Sequence, residues 1–135
     1  EDHGRYTEYY HSGKVLAEGP RAGPRSVGHW RYFAEDGTLQ SEGDFENGKK
    51  SGRWLYYHPT GQVASEGIFR NDDPEGEWVY YFENGSVSAK GQYLGGKKNG
   101  YWSSFNNNGG LSSEITYQNG SGEFREYYPD GKLKR

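Results

Sequence analysis

Glycines recur at a fixed interval along this chain, and that interval constrains its fold more than any other feature. Gly4, Gly28, Gly52, Gly76 and Gly100 are spaced by 24 residues, and Gly122 follows after 22. A second series, Gly13, Gly37, Gly61, Gly85, Gly109 and Gly131, keeps the same spacing and the same final shortening. Such a period means that one supersecondary unit is repeated and that each copy completes its core against its neighbours.

Other columns share the register. Two residues after the first glycine stands a large aromatic: Tyr6, Trp30, Trp54, Trp78, Trp102 and Phe124, a column that holds every Trp of the chain. Three residues further on comes Tyr9, Phe33, Tyr57, Tyr81, Phe105 or Tyr127, often preceded by a tyrosine such as Tyr32, Tyr56 or Tyr80. This segment reads as a strand. Two residues after the second glycine is an aliphatic, Val15, Leu39, Val63, Val87, Leu111 or Leu133, followed six residues later by Phe45, Phe69, Tyr93 or Tyr117. That is a second strand. Glu35-Asp36-Gly37, Glu83-Asn84-Gly85 and Pro129-Asp130-Gly131 lie between the two, where Asp-Gly and Asn-Gly supply the positive φ of a hairpin turn. Asn47-Gly48, Gly95-Gly96 and Asn119-Gly120 mark the return to the next repeat.

Alternation along a strand puts Trp and the Tyr two positions later on one face, and gives the aliphatic, Gly43, Gly67 or Gly91, and the following aromatic one parity. A bare mid-strand glycine leaves room for a ring over the backbone. Trp30, Trp54, Trp78 and Trp102 with Gly43, Gly67 and Gly91 are therefore expected to form the structural core of the repeat, the indoles stacking across the glycines. Arg53 with Glu66 and Glu77 with Lys90 keep opposite signs in inverted order, as cross-strand pairs would; independent solvated charges are the alternative.

The expected fold is all-β: an elongated, single-layer, twisted antiparallel meander of tandem β-hairpins, with about eleven strands. It forms one domain over 1–135, with repeats at 4–27, 28–51, 52–75, 76–99, 100–121 and 122–135. Repeat one is expected to lose its aromatic return strand to Pro20-Arg21-Ala22-Gly23-Pro24, and the charges of Lys132-Leu133-Lys134-Arg135 would blunt an exposed edge. Composition agrees with this fold. Leu, Ile and Val are scarce, but 17% of residues are aromatic and the net charge is only -3, so apolar surface is present and disorder is not indicated. The 22 glycines disfavour helices.

The pattern Gly-x-Trp-x-Tyr-Tyr-x-x-x-Gly, clear from Gly52 to Gly61 and from Gly76 to Gly85, resembles the bacterial variant of the MORN repeat, and most of the chain from Gly28 to Gly131 fits it. The resemblance implies a meander of antiparallel hairpins with a binding or scaffolding role. Proteins with this variant are often antitoxins or immunity partners of secreted toxins, and others look like envelope or surface proteins. MORN repeats at large are linked to membranes and protein scaffolds. The chain departs from the eukaryotic core pattern Tyr-x-Gly-x-Trp-x-x-Gly, so lipid binding is not carried over. Choline-binding wall repeats also combine Trp with Tyr-Tyr, but their period is about twenty residues.

Catalysis requires convergent polar groups, whereas aromatics and glycines are what recur here. His3, His11, His29 and His58 occupy different repeat positions and read as surface histidines. The acidic column Glu18, Glu42, Glu66 and Glu114 would place carboxylates roughly 10 Å apart, too far to share a metal. Gly95-Gly96-Lys97-Lys98-Asn99-Gly100 lacks the Gly-Lys-Ser/Thr end of a phosphate loop, and Asn71-Asp72-Asp73-Pro74 lacks the spacing of a calcium loop; both read as turns. No catalytic, metal or cofactor site is expected.

The candidate contact residues are Tyr32, Tyr56, Tyr57, Tyr80 and Tyr81, as exposed aromatic rows. A protein partner, reached by a scaffold or by the neutraliser of a toxin-like protein, is the first expectation. Binding of lipid, glycan or cell-wall polymer by an envelope or surface protein is the alternative. The near-neutral charge disfavours nucleic acid. Open sheet edges allow end-to-end self-association. Lack of cysteine leaves the compartment open, and the absence of Met suggests a processed or trimmed chain, which tilts toward export or the cell envelope, with the cytoplasm as alternative.

Overall fold

The computed structural model describes residues 3–118, 121–128 and 130–134. Within them the chain forms β1 (His3–Tyr9), β2 (Val15–Ala22), β3 (Arg25–Ser26), β4 (Gly28–Phe33), β5 (Leu39–Glu46), β6 (Lys49–Tyr57), β7 (Val63–Arg70), β8 (Asp73–Tyr81), β9 (Val87–Leu94), β10 (Lys97–Phe105), β11 (Leu111–Gln118) and β12 (Ser121–Glu126), with no helix among the described residues. Eleven strands follow each other in chain order across one open antiparallel sheet, and the two-residue β3 pairs with β2 beside that path. This is the all-β meander of hairpins that the repeat demands.

Two kinds of turn alternate along it. At the outer turn, Ala34 N–H bonds Thr38 C=O at 2.8 Å and Gly37 N–H bonds Ala34 C=O at 2.9 Å, a type I turn closed by a left-handed glycine (φ +93°). Only the glycine has positive φ, which corrects the expectation that the preceding Asp or Asn shares it. Asp36, Asn84 and Asp130 instead accept the backbone N–H two residues on, each at 2.9 Å. At the return turns both residues are left-handed: Asn47 and Gly48, Asn71 and Asp72, Gly95 and Gly96. These are two-residue I′ turns. Asn119-Gly120, assigned to the same class, lies outside the described residues, as do Pro129 and Arg135.

The first glycine of each middle repeat makes a bulge. Between β5 and β6 the register passes from Gly43↔Trp54 to Asp44↔Ser51, so Gly52 (φ +73°) and Arg53 are two extra residues on β6. A carbonyl at such a bulge needs another donor. The indole of Trp54 supplies it, donating to Asp44 C=O at 2.9 Å, and Trp30, Trp78 and Trp102 donate likewise to Pro20 (2.8 Å), Ile68 (3.1 Å) and Gln92 (2.9 Å).

This bulge accounts for the short final period. β11 and β12 pair without interruption from Ser113↔Glu126 to Gln118↔Ser121, so the two extra residues are missing, and Gly100 to Gly122 spans 22 residues instead of 24. The glycine opposite has become Ile115 and the Trp has become Phe124. Bulge, glycine and indole are lost together.

The core is one face of this sheet. Trp30, Trp54, Trp78 and Trp102 retain 2%, 1%, 4% and 6% of their exposure. Each indole lies over the glycine of the preceding repeat: Trp30 on Gly19, Trp54 on Gly43, Trp78 on Gly67 and Trp102 on Gly91, where an added Cβ would come within 3.0 Å of ring carbons. The contact therefore joins repeats and not the two strands of one hairpin. Beside the glycine row, Ala17, Ser41 and Ser65 are buried beneath the next tyrosine in register, Tyr32, Tyr56 and Tyr80. Burial of about 150–250 Å² per indole is worth roughly 4–6 kcal/mol before chain entropy is counted.

Two expectations need correction. β2 runs through Pro20 to Ala22, with Pro20 opposite Arg5, so the first return strand is kept although its aromatic is gone. A second bulge at the outer end pairs Val63 with Tyr57 and Leu39 with Phe33, interrupting the alternation that would have carried the aliphatics in the glycine row.

Gly67→Ala is expected to destabilise the protein by roughly 1–3 kcal/mol, because the methyl must displace the Trp78 ring. Gly4→Ala, with nothing within 4 Å of the new Cβ, should stay within about 0.5 kcal/mol of wild type. Urea unfolding followed by Trp fluorescence measures both.

Candidate binding site

The core face carries a continuous ladder of rings. Trp54 meets Tyr32 at 6.3 Å and Tyr56 at 6.2 Å in tilted contacts, and Phe45 (5.3 Å) and Phe69 (6.0 Å) edge-on. Trp78 repeats the arrangement with Tyr56, Tyr80, Phe69 and Tyr93. Edge-to-face geometry sets the positive rim of one ring against the negative face of the next. Among the described residues the sheet has no second layer, so these tilted rings shield the indoles from water. Tyr32, Tyr56 and Tyr80 are half-buried as a result, tucked between indoles on one side and open on the other.

Tyr57 and Tyr81 lie on the opposite face, and their hydroxyls are committed. Tyr57 donates to Glu42, Tyr81 to Glu66 at 2.5 Å, and Tyr127 to Glu114. Each carboxylate also takes a donor 13 residues earlier in the chain: His29 reaches Glu42 at 2.9 Å, Arg53 pairs with Glu66, and Tyr101 donates to Glu114 at 2.7 Å. The acidic column is thus a row of doubly bonded carboxylates linking consecutive repeats. Glu18 takes Arg31 at 3.0 Å instead, and its second aromatic is Phe33; where Lys90 replaces the acid, the aromatic is Phe105. Arg53 and Glu66 form the expected ion pair, whereas among the described residues Glu77 and Lys90 do not.

The electrostatics follow from these bonds. Burial, then the bond to Glu42, pushes the Tyr57 phenol up to about 12. The hydrogen bond from Tyr57, aided by His29, holds the Glu42 carboxyl below the usual carboxylate range. Burial is also the chief cause of the raised Tyr32 and Tyr80 phenols on the ladder, with the Tyr93 hydroxyl, 3.1 Å away, adding to the effect at Tyr80.

Convergent chemistry is not found among the described residues, where no group of three His, Cys, Asp or Glu side chains could hold a metal. His29 bridges Glu42 and Asp44 on the surface, and a ring N–H of His58 donates to Tyr81 C=O at 2.9 Å. Asp72 caps the neighbouring turn, accepting Lys50 N–H at 2.7 Å while its own N–H bonds Lys50 C=O at 3.0 Å. Gly95-Gly96 is a return turn. The tyrosine–carboxylate row escaped the sequence reading although its signal was present. Acid and tyrosine stand 15 residues apart at Glu42 and Tyr57 and at Glu66 and Tyr81, and Phe enters at the Lys90 repeat.

A phenolate titration should place Tyr57 near pH 12, and Glu42→Gln should lower that value by removing the charge while leaving the burial. Because folding depresses the Glu42 pKa, its contribution is complete above the ordinary value of 4.5 and is lost as pH falls through the depressed one. Thermal stability of the wild type should therefore fall more steeply than that of Glu42→Gln below pH 4.5.

The family model described as MORN repeat variant matches residues 2–21, 26–47, 50–71, 74–94, 98–119 and 121–135, which is most of the chain. A search of the curated proteins finds no match. MORN repeats are in general modules that bind proteins or membrane lipid, not enzymes. Six matched copies in tandem, folded as hairpins of one sheet, establish that the chain belongs to the MORN repeat variant family.

Proposed function

We propose that the chain is a non-catalytic protein-binding or scaffolding module whose contact surface is the ladder face. The observation that carries this reading is a single-layer sheet whose aromatic face has no layer over it among the described residues, so that Tyr32, Tyr56 and Tyr80 remain half-open in a row. Rigid aromatics with a polar tip gain contact area at low entropy, which is why such residues dominate protein interfaces. Tyr57 and Tyr81 serve this surface from behind: bonded to Glu42 and Glu66, they hold consecutive repeats in register and offer a partner their ring edges at most.

Specificity would come from the return turns beside the ladder. Lys49-Lys50 and Lys97-Lys98 flank Asp73-Pro74, so charge varies where the frame does not. Neutralisation of a toxin-like partner is the finer form of this reading and rests on the resemblance to antitoxin- and immunity-type relatives. An envelope or surface protein that engages lipid or wall polymer through the same rings is the alternative reading.

Affinity capture with the wild type and a Tyr56→Ala/Tyr80→Ala variant, both shown to fold by circular dichroism, separates the readings. One stoichiometric protein partner, lost by the variant, is the expected result. Co-sedimentation with lipid vesicles or wall polymer, and no protein partner, would favour the envelope reading.

A further inference from the structure

Position 50 of the repeat ladder shows what the aromatic face accepts. Lys50 folds back over the rings, its Nζ 4.8 Å from the centroid of Trp54, 5.1 Å from Phe69 and 5.7 Å from Tyr56, and it donates to the Tyr56 hydroxyl at 3.2 Å. Lys98, two repeats on, does the same over Trp102 (4.8 Å) and Tyr117 (5.6 Å). These are ammonium groups held on ring faces by the aromatic quadrupole, the contact that defines an aromatic cage.

The repeat between them has the cage without the cation. Pro74 stands 24 residues after Lys50 and 24 before Lys98. Trp78, Tyr80 and Tyr93 occupy the places of Trp54, Tyr56 and Phe69. Pro74 has no side chain long enough to lie over them, and a recess of about 270 Å³ opens there, lined by Tyr56, Phe69, Pro74, Trp78, Tyr80 and Tyr93. The hydroxyls of Tyr80 and Tyr93, 3.1 Å apart, offer acceptors where Tyr56 serves Lys50. The residues on either side of Pro74 change as well, Asp73 replacing Lys49 and Lys97 and Glu75 replacing Ser51 and Asn99, and the Glu75 carboxylate accepts the Gly95 N–H of the next return turn at 3.1 Å. Ser26 holds the position in the second repeat, so lysine alternates with a short residue along the ladder.

We propose that this recess takes the ε-ammonium of a lysine side chain from a protein partner, the group that Lys50 and Lys98 supply from within the chain in the flanking repeats. The inference rests on the protein-binding reading above and adds to it the chemistry of the partner's anchor residue. An aliphatic stem would lie along Pro74 and Phe69, and the charge would sit over Trp78 within reach of the Tyr80 and Tyr93 hydroxyls. Cation–π attraction holds an ammonium on a ring face, and the flexible lysine stem suits a shallow recess.

The indole N–H signals report each cage separately. Titration with Nα-acetyl-lysine methylamide should shift the Trp78 signal saturably and leave Trp54 and Trp102 unmoved, because their cages are filled by Lys50 and Lys98. The norleucine analogue, which has the stem without the charge, should have no effect. Pro74→Lys, a residue that the same position already accepts in two repeats, should fold as wild type and lose the response. Equal shifts at all three indoles, or a response that survives in Pro74→Lys, would overturn the proposal. A response to tetramethylammonium without one to the lysine amide would overturn it too, by assigning the recess to a quaternary ammonium group. The titration needs no partner in hand, so it can fail independently of the module reading. Capture of a protein partner by Pro74→Lys as strongly as by wild type would leave that reading standing and sink the lysine anchor alone.

Discussion

An indole lying flat on a glycine of the preceding repeat is the contact on which the rest of this sheet depends. A single-layer sheet has no opposing layer to bury a side chain, so the backbone itself must act as the floor. Glycine makes that floor flat: at Gly43, Gly67 and Gly91 a methyl would strike the ring. The indole then supplies a hydrogen bond as well as an area of contact, because its N–H reaches the carbonyl of the residue after that glycine. A phenyl ring could give the first and not the second. That is the physical reason for a Trp column where a Phe column would be equally apolar.

The contact also sets the length of the repeat. Satisfying that carbonyl with an indole allows the backbone ladder to skip two residues, and the skip places a left-handed glycine ahead of each Trp. Where indole and glycine give way to Phe124 and Ile115, the skip is gone and the period contracts by the same two residues. Repeat length, glycine position and ring type are therefore one constraint. Nearest-neighbour contacts of this sort make the body quasi-one-dimensional, with stability accumulating repeat by repeat.

The two faces divide the remaining work. One buries rings under rings and leaves tyrosine edges open to a partner. The other ties successive hairpins together by carboxylates that accept from a tyrosine of the next repeat and from a donor on their own hairpin, as Glu42 does from Tyr57 and His29. Exposed ion pairs contribute little singly, but a shared acceptor orders both donors at once. The variable residues open the first strand of each repeat, just after the return turn. A change from lysine to proline there alters what the aromatic face can hold without disturbing the frame beneath it.

Much of this was legible in the residues. The 24-residue period, the hairpin halves, the all-β class and the opposition of Trp and glycine columns all follow from local rules, namely turn chemistry, strand alternation and the space a missing side chain leaves. Other features escaped those rules because they depend on register. That Trp54 covers Gly43 and not Gly67, although both pair with it, is decided by the bulge at Gly52, which displaces β5 relative to β6. That Tyr57 and Tyr81 are bonded to Glu42 and Glu66, while Tyr56 and Tyr80 join the ladder, depends on which face each adjacent residue takes. The folding back of Lys50 and Lys98 over their cages depends on rings from two adjacent strands, and the recess left at Pro74 on rings from four. Sequence by itself determined the repeat and its chemical inventory, since those are properties of neighbours in the chain. Tertiary structure decided which glycine, carboxylate or cation each ring meets, because a shift of two residues at a bulge changes every partner across the sheet.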